Sequence, residues 1–183
     1  MARRRLFVAA ELDDAARAAC ADVAARLRAR GWPGRWVPPE NYHLTVAFLG
    51  GVDEERVPAV GAALRALAPA RRGFALALDA VGAFPSPRRP RVAWAGSHAP
   101  PADFAALCGA VRAALSGLGF AFDERADPHV TLARADGRTP LPAVAPPAPT
   151  ALRIDRLTLF ESVTAAEGAR YTPLERYELA SGE

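Results

Sequence analysis

Short runs in which apolar side chains crowd together or alternate are interleaved along the chain with longer stretches in which they return every three or four positions. The first rhythm is that of strands and the second that of helices. RLFVAAEL, residues 5 to 12, reads as a strand with β-type residues at Phe7 and Val8. A helix follows: Asp13 or Asp14 can cap its start, Ala16, Ala19, Cys20, Val23 and Leu27 recur at helical spacing, and Gly31 supplies the stop. RWV and then YHLTVAFLG read as strands, the latter ended by Gly50 and Gly51. Asp53 is expected to cap a second helix whose inward stripe is Val57, Val60, Leu64 and Leu67, with Pro58 tolerated because it lies near the helix start.

The second half repeats the plan. FALALDAVGAF and RVAWAG read as strands joined by the loop PSPRRP, and a helix from about Pro101 to Leu118 is expected to bury Phe104, Leu107, Cys108, Val111 and Leu115. HVTLAR is the next strand. The proline-rich TPLPAVAPPAPT suits an extended surface loop or short linker, after which LRIDRLTLFESV and RYTPLERYEL each read as a strand. Strands and helices therefore alternate in two similar halves, and residues 1–183 fit one bilobal domain.

Composition narrows this picture without redirecting it. A hydrophobic content of 51% is ample for a packed core, and the longest apolar runs are broken well before the roughly 18 to 20 residues that a membrane span needs. Arg3, Arg4 and Arg5 lack the apolar segment that would follow them in a signal peptide, so a cytoplasmic location and no membrane association are expected. Cys20 and Cys108 fall on the apolar faces of predicted helices, where a buried thiol is the ordinary reading. The net charge of +3 permits an anionic partner such as RNA. Every one of the 23 basic residues is arginine, however, a bias that GC-rich coding alone produces, so the argument rests on where particular arginines fall.

Two strands carry polar side chains where chemistry is plausible. Residues i and i+2 of a strand leave the same face, so His43 and Thr45 point together, as do His129 and Thr131. Leu44, Val46 and Phe48, with Val130 and Leu132, take the opposite parity and are expected to pack against covering helices. Ala47 and Ala133 are expected on the polar face, small enough to leave room for a ligand. A single histidine in a strand is ordinarily a hydrogen-bonded structural residue. Here two of the three histidines share one His-aliphatic-Thr-aliphatic context at equivalent places in the two halves, while His98, in GSHAPP, suits a solvent-exposed loop. If an approximate two-fold axis relates the halves, both pairs face one cleft. Two imidazoles there can divide acid and base work near neutral pH, and two hydroxyls with an arginine, for which Arg134 is the nearest candidate, can hold a phosphoryl group without a metal.

HLTVAFLG and HVTLAR, with RLFVAAEL, FPSPRRPRVAWAG and LFESVTAAEGARYTPLERYEL around them, resemble the 2H phosphoesterase superfamily and, within it, the RNA 2′,3′-cyclic phosphodiesterases also called 2′-5′ RNA ligases. The resemblance runs over nearly the whole chain. It implies an α+β, bilobal, duplicated fold in which two antiparallel sheets with outer helices surround a central cleft. It further implies that His43 is the proton donor and His129 the acceptor, that Thr45 and Thr131 bind phosphate, and that Arg134 contacts it. No metal or other cofactor is implied. The activity implied is opening of a 2′,3′-cyclic phosphate, on RNA or a small nucleotide, to a 2′-phosphate, with reversible 2′-5′ joining as a side reaction of what is expected to be a monomer.

Beyond the motifs, Arg88, Arg89 and Arg91 suit contacts to an RNA backbone, and Phe84 suits stacking on a base. Two other readings stay open at this level. One is a metal-dependent phosphodiesterase using His43, His129 and a carboxylate such as Asp127, which the threonine two places after each histidine and the lack of a zinc-binding pattern disfavour. The other is an RNA-end-binding module without turnover. A serine hydrolase is disfavoured by the lack of a Gly-x-Ser-x-Gly elbow.

Overall fold

The computed structural model of the protein describes residues 2–122, 127–165 and 168–181. Two four-stranded antiparallel sheets carry the architecture. The first has the order β10-β9-β1-β3, built from β1 (Arg3–Glu11), β3 (His43–Asp53), β9 (Arg156–Ala165) and β10 (Gly168–Glu178). The second has the order β2-β7-β6-β5, built from β2 (Arg35–Trp36), β5 (Ala80–Phe84), β6 (Val92–Gly96) and β7 (His129–Arg134). A separate ribbon pairs β4 (Phe74–Leu78) with β8 (Thr150–Ile154).

The lobes are therefore not the two halves of the sequence. β9 and β10 return from the C-terminal half to flank β1, while β2, from the N-terminal half, edges the second sheet. The long strands expected at residues 74–84 and 152–163 are each two strands. Asp79 and Asp155 interrupt them, so that β4 and β8 leave to form the ribbon while β5 and β9 stay in the main sheets.

The helices cover the outer faces. α1 (Asp14–Ala29) packs on β7 and β8, while α2 (Val57–Leu67) and α3 (Ala102–Ser116) lie side by side, α3 against β3 and α2 against β10. Asp13 caps α1 by accepting from the Ala16 amide at 2.8 Å, and Gly31, at φ +72°, ends it. Most of the expected stripes are in the core: Ala16, Cys20, Val23 and Leu27 from α1, Val60 and Leu64 from α2, and Phe104, Leu107, Cys108, Val111 and Leu115 from α3, while Ala19, Val57 and Leu67 are only partly buried. The two thiols are buried and unpaired with each other, and burial pushes them up to about 12 for Cys20 and about 11 for Cys108. Asp53 does not cap α2; a short 3-10 turn, Glu54–Arg56, comes first, and the Asp53 carboxylate pairs with Arg3 at 3.3 Å.

The proline-rich segment has no regular secondary structure and is tied to the second lobe. Arg26 donates to the main-chain oxygens of Ala145 and Pro146, each at 3.0 Å, and the Trp32 indole to that of Thr139 at 3.2 Å. Among the described residues no helix is long and apolar enough to cross a membrane.

Two glycines test the packing in opposite directions. Gly96 pairs with His129, and a Cβ there would lie 2.5 Å from the main-chain oxygen of Pro128, which cannot move aside cheaply. Gly96→Ala is expected to cost about 1–3 kcal/mol in urea unfolding. Gly109, exposed in the middle of α3 with open space where a Cβ would go, is expected to gain about 0.5–1 kcal/mol on substitution by alanine.

Candidate active site

The site begins with an irregularity that both motif strands share. In β3 the pairing with β1 slips so that Thr45 faces Ala9 and Ala47 faces Val8, leaving Val46 between them without a cross-strand partner. In β7 the pairing with β6 slips at the same place: Thr131 faces Trp94, Ala133 faces Ala93, and Leu132 is left over. Each is a one-residue β-bulge immediately after the motif threonine. Its main-chain oxygen is still used, since Val46 accepts from the Arg112 guanidinium at 3.3 Å and Leu132 from the Val37 amide at 2.9 Å.

The bulge resets the alternation of side chains and corrects two expectations. Ala47 and Ala133 do not line the polar face; they are 1% and 0% exposed and belong to the core. Phe48 does not pack under a helix; it pairs with Phe7, on the face that carries His43, and is 48% exposed with the Arg5 guanidinium 5.0 Å from its ring centroid. The equivalent position of β7 is Arg134. Strict alternation would send it to the side opposite Thr131, whereas the bulge returns it to the face of His129 and Thr131, where it is exposed. A second slip, with Leu49 unpaired and Gly50 at φ +71°, lets β3 continue through Gly50 and Gly51 to Asp53 instead of ending there.

Leu44, Val46, Val130 and Leu132 are fully buried, while His43, Thr45, His129 and Thr131 are half-exposed on the opposite face. β3 and β7 contact each other across the lobes, so the two motif pairs open onto one cleft. Each imidazole is held in the same way. His43 Nδ1 lies 2.8 Å from the main-chain oxygen of Asn41, and His129 Nδ1 lies 2.8 Å from that of Asp127. A carbonyl accepts only, so Nδ1 carries the proton in both rings and Nε2 is the nitrogen that titrates. His43 Nε2 is also 3.1 Å from Thr45 Oγ1.

Both imidazoles are pushed below the usual histidine value, chiefly by burial. The carbonyls at Asn41 and Asp127 oppose the shift, as does the Asp127 carboxylate at His129. The charge on His129 depresses His43, and that on Arg134 depresses both rings. The two histidines and Arg134 therefore feel one another across a common space.

Several cleft-face residues carry no motif and were not legible as site residues. Phe7, Tyr171 and Phe160 surround the His43 ring at centroid distances of 4.8, 5.2 and 6.5 Å. Glu11 pairs with His43 across β1 and is itself held by Arg176 Nε at 2.7 Å and Thr158 Oγ1 at 2.6 Å, contacts that pull its carboxyl below the usual range. Arg35 lies opposite Arg134 in the β2 to β7 pairing, and among the described residues neither has an acidic partner. Like charges placed opposite each other repel unless an anion lies between or beside them. In the second lobe the Phe84 ring meets His129 edge to face at 5.0 Å. His98 is exposed, as expected, and so are Arg88, Arg89 and Arg91 in the loop after β5. Asp127 offers His129 its main-chain oxygen, and the described residues contain no cluster of three His, Cys, Asp or Glu side chains suited to a metal ion.

Residues 7–94 match the family model described as LigT like phosphoesterase. An RNA 2′,3′-cyclic phosphodiesterase of Thermus thermophilus is 34% identical over 96% of this chain and 90% of its own. That of Escherichia coli is 36% identical over 80% of each chain. Among solved structures, one from Thermus thermophilus superposes with a TM-score of 0.83 at 31% identity, covering 98% of this chain and 100% of that one. E. coli LigT complexed with 3′-AMP gives 0.81 at 31% identity, over 98% and 99%. With two bulged His-x-Thr strands across one cleft and relatives of this similarity over nearly its full length, the chain belongs to the LigT-like phosphoesterases of the 2H superfamily.

Proposed function

We propose that the protein opens ribonucleoside 2′,3′-cyclic phosphates at RNA ends or on small nucleotides, leaving a 2′-phosphate, by acid and base catalysis from two histidines without a metal. The observation that carries this reading is the pair of imidazoles, each pinned at Nδ1 by a main-chain carbonyl, on two strands that contact each other across the lobes, with Arg134 on the same strand face as His129. The activity borne by the names of its relatives is of the same kind.

His129, neutral at Nε2, takes a proton from water as the water oxygen attacks phosphorus in line. His43, protonated at Nε2, gives a proton to the departing ribose 3′-oxygen. Charge grows on the non-bridging oxygens as the P–O3′ bond lengthens, and Thr45, Thr131 and Arg134 supply hydroxyl and guanidinium donors to it. The positive charge of His129 disfavours a charge on His43, which suits a division of labour in which one ring is protonated and the other neutral. The metal-dependent alternative lacks a third ligand, since Asp127 presents its main-chain oxygen to His129 and no group of three His, Cys, Asp or Glu side chains suited to a metal ion is found among the described residues. With an RNA 5′-hydroxyl in place of water, the same steps join strands through a 2′-5′ linkage.

Hydrolysis of a nucleoside 2′,3′-cyclic phosphate in EDTA, followed by phosphorus NMR, tests the reading. The expected result is a 2′-phosphate, with His43→Ala and His129→Ala each lowering kcat by about 10² to 10⁴. Loss of activity on chelation, or near wild-type rates in both variants, would refute it. Thr131→Val and Arg134→Ala are expected to lose less, about 10- to 10²-fold in kcat/KM, as fits one hydrogen bond to a charged group.

The pH dependence has a fixed sign. A histidine whose pKa is lowered gives up its proton at lower pH, so the supply of protonated His43 fails early. The alkaline limb of kcat/KM is expected to lie below the ordinary histidine value of about 6.5. Bound phosphate favours both imidazolium forms, so the limb of kcat should lie at higher pH than that of kcat/KM. An alkaline limb of kcat/KM well above 6.5 would contradict the burial of His43.

A further inference from the structure

A pocket of about 220 Å³ adjoins His129, and its walls include Phe84, Trp94, Ser97, His98 and Pro128. All of its lining among the described residues comes from β5, β6, β7 and the segments next to them, and none from the strand that bears His43. Phe84 and Trp94 present their rings at a centroid distance of 5.4 Å. The indole occupies the space over Gly82, where a Cβ would fall 2.3 Å from it. Two polar atoms of the lining residues, Trp94 Nε1 and Ser97 Oγ, are buried and have no hydrogen-bond partner among the described residues. Buried polar groups of this kind are rare and call for a partner that the folded chain does not itself supply.

Aromatic walls with an unused N–H donor and an unused hydroxyl suit a nucleobase, which offers a π-face to the rings and polar atoms at its edge. Which nucleoside it belongs to follows from the direction of the reaction proposed above, on which this step rests. In-line displacement sets the attacking and departing oxygens on opposite sides of phosphorus. The departing 3′-oxygen faces His43, so the nucleoside of the cyclic phosphate extends towards the first lobe and the nucleophile arrives beside His129. Water needs no pocket there. We propose that this pocket seats the base of the RNA strand whose 5′-hydroxyl attacks, making it the acceptor subsite for 2′-5′ joining. In that step the O5′–P bond forms and the P–O3′ bond breaks. The 5′-hydroxyl proton passes to His129 Nε2, and the proton on His43 passes to O3′.

The test uses the whole protein with cytidine 2′,3′-cyclic phosphate and rising concentrations of ApA, a dinucleotide with a free 5′-hydroxyl and no terminal phosphate, and separates hydrolysed from joined product. The wild type should divert product to the 2′-5′ linked trinucleotide with saturable dependence on ApA. Trp94→Ala should lower the ratio of joined to hydrolysed product at least about tenfold below saturation, as loss of one stacked base predicts. Ser97→Ala should lower it by a smaller factor, and carries the test alone if Trp94→Ala does not fold. Equal loss of both products in these variants, or ApA acting only as a competitor of the cyclic nucleotide, would overturn the proposal by placing the cyclic nucleotide's own base in the pocket. An unchanged ratio in both variants, or hydrolysis that ApA neither diverts nor inhibits, would also overturn it. A wild-type protein that opens no cyclic phosphate at all would instead sink the underlying reading of the site.

Discussion

One extra residue in each of two strands sets the geometry on which everything else rests. Val46 and Leu132, inserted after Thr45 and Thr131 without cross-strand partners, let the chain keep a histidine and a threonine on the cleft face and then send two consecutive aliphatic residues into the core. The third residue past each threonine is thereby returned to the cleft, as Phe48 in one lobe and Arg134 in the other. A regular strand would have buried the guanidinium or left an aliphatic side chain in its place. The bulges are also held by neighbouring segments, by Arg112 of α3 at Val46 and by the Val37 amide at Leu132. The two lobes have repeated one solution, with aliphatic exchanges at Leu44/Val130 and Val46/Leu132 and one change of chemistry, an aromatic at Phe48 against a cation at Arg134.

The electrostatics follow from that placement. Burial among Phe7, Tyr171 and Phe160 disfavours charge on His43, and the neighbouring positive charges of His129 and Arg134 disfavour it further. The carbonyls of Asn41 and Asp127 act the other way while fixing which nitrogen faces the chemistry. The result is a pair of imidazoles whose charged forms are disfavoured by burial and by neighbouring positive charge. Arg35 beside Arg134 has the same character, since two guanidiniums in adjacent strands are best accommodated when a phosphate shares their charge. In the proposed reaction, affinity for an anionic group and readiness for proton transfer are two consequences of one arrangement.

Much of this was legible in the sequence, because strand parity and helix spacing are local. The pairing of His43 with Thr45 and His129 with Thr131, most of the buried stripes of the helices, the Asp13 cap and the lack of regular secondary structure in the proline-rich segment needed only neighbours in the chain. What was not legible depended on partners far away. A bulge is a mismatch between two strands, so neither Val46 nor Leu132 signals it alone, and the positions of Ala47, Ala133 and Phe48 were misjudged for that reason. Asp79 and Asp155 look like ordinary polar positions in a strand until β4 and β8 are seen to pair with each other. The return of β9 and β10 to the first sheet, which brings Phe160 and Tyr171 to His43, and the placing of Arg35 beside Arg134 are likewise long-range facts. Only the resemblance of HLTVAFLG and HVTLAR to one superfamily carried information about how the lobes meet.

The central claim is that His43 and His129 behave as one coupled pair in one cleft. Nitrogen-15 NMR of the imidazoles across a pH titration measures this directly. The account predicts Nδ1–H as the neutral tautomer of both rings, midpoints below about 6.5, and a shift of the His43 midpoint upward when His129 is replaced by glutamine. Two independent titrations near 6.5, each indifferent to removal of the other ring, would contradict it.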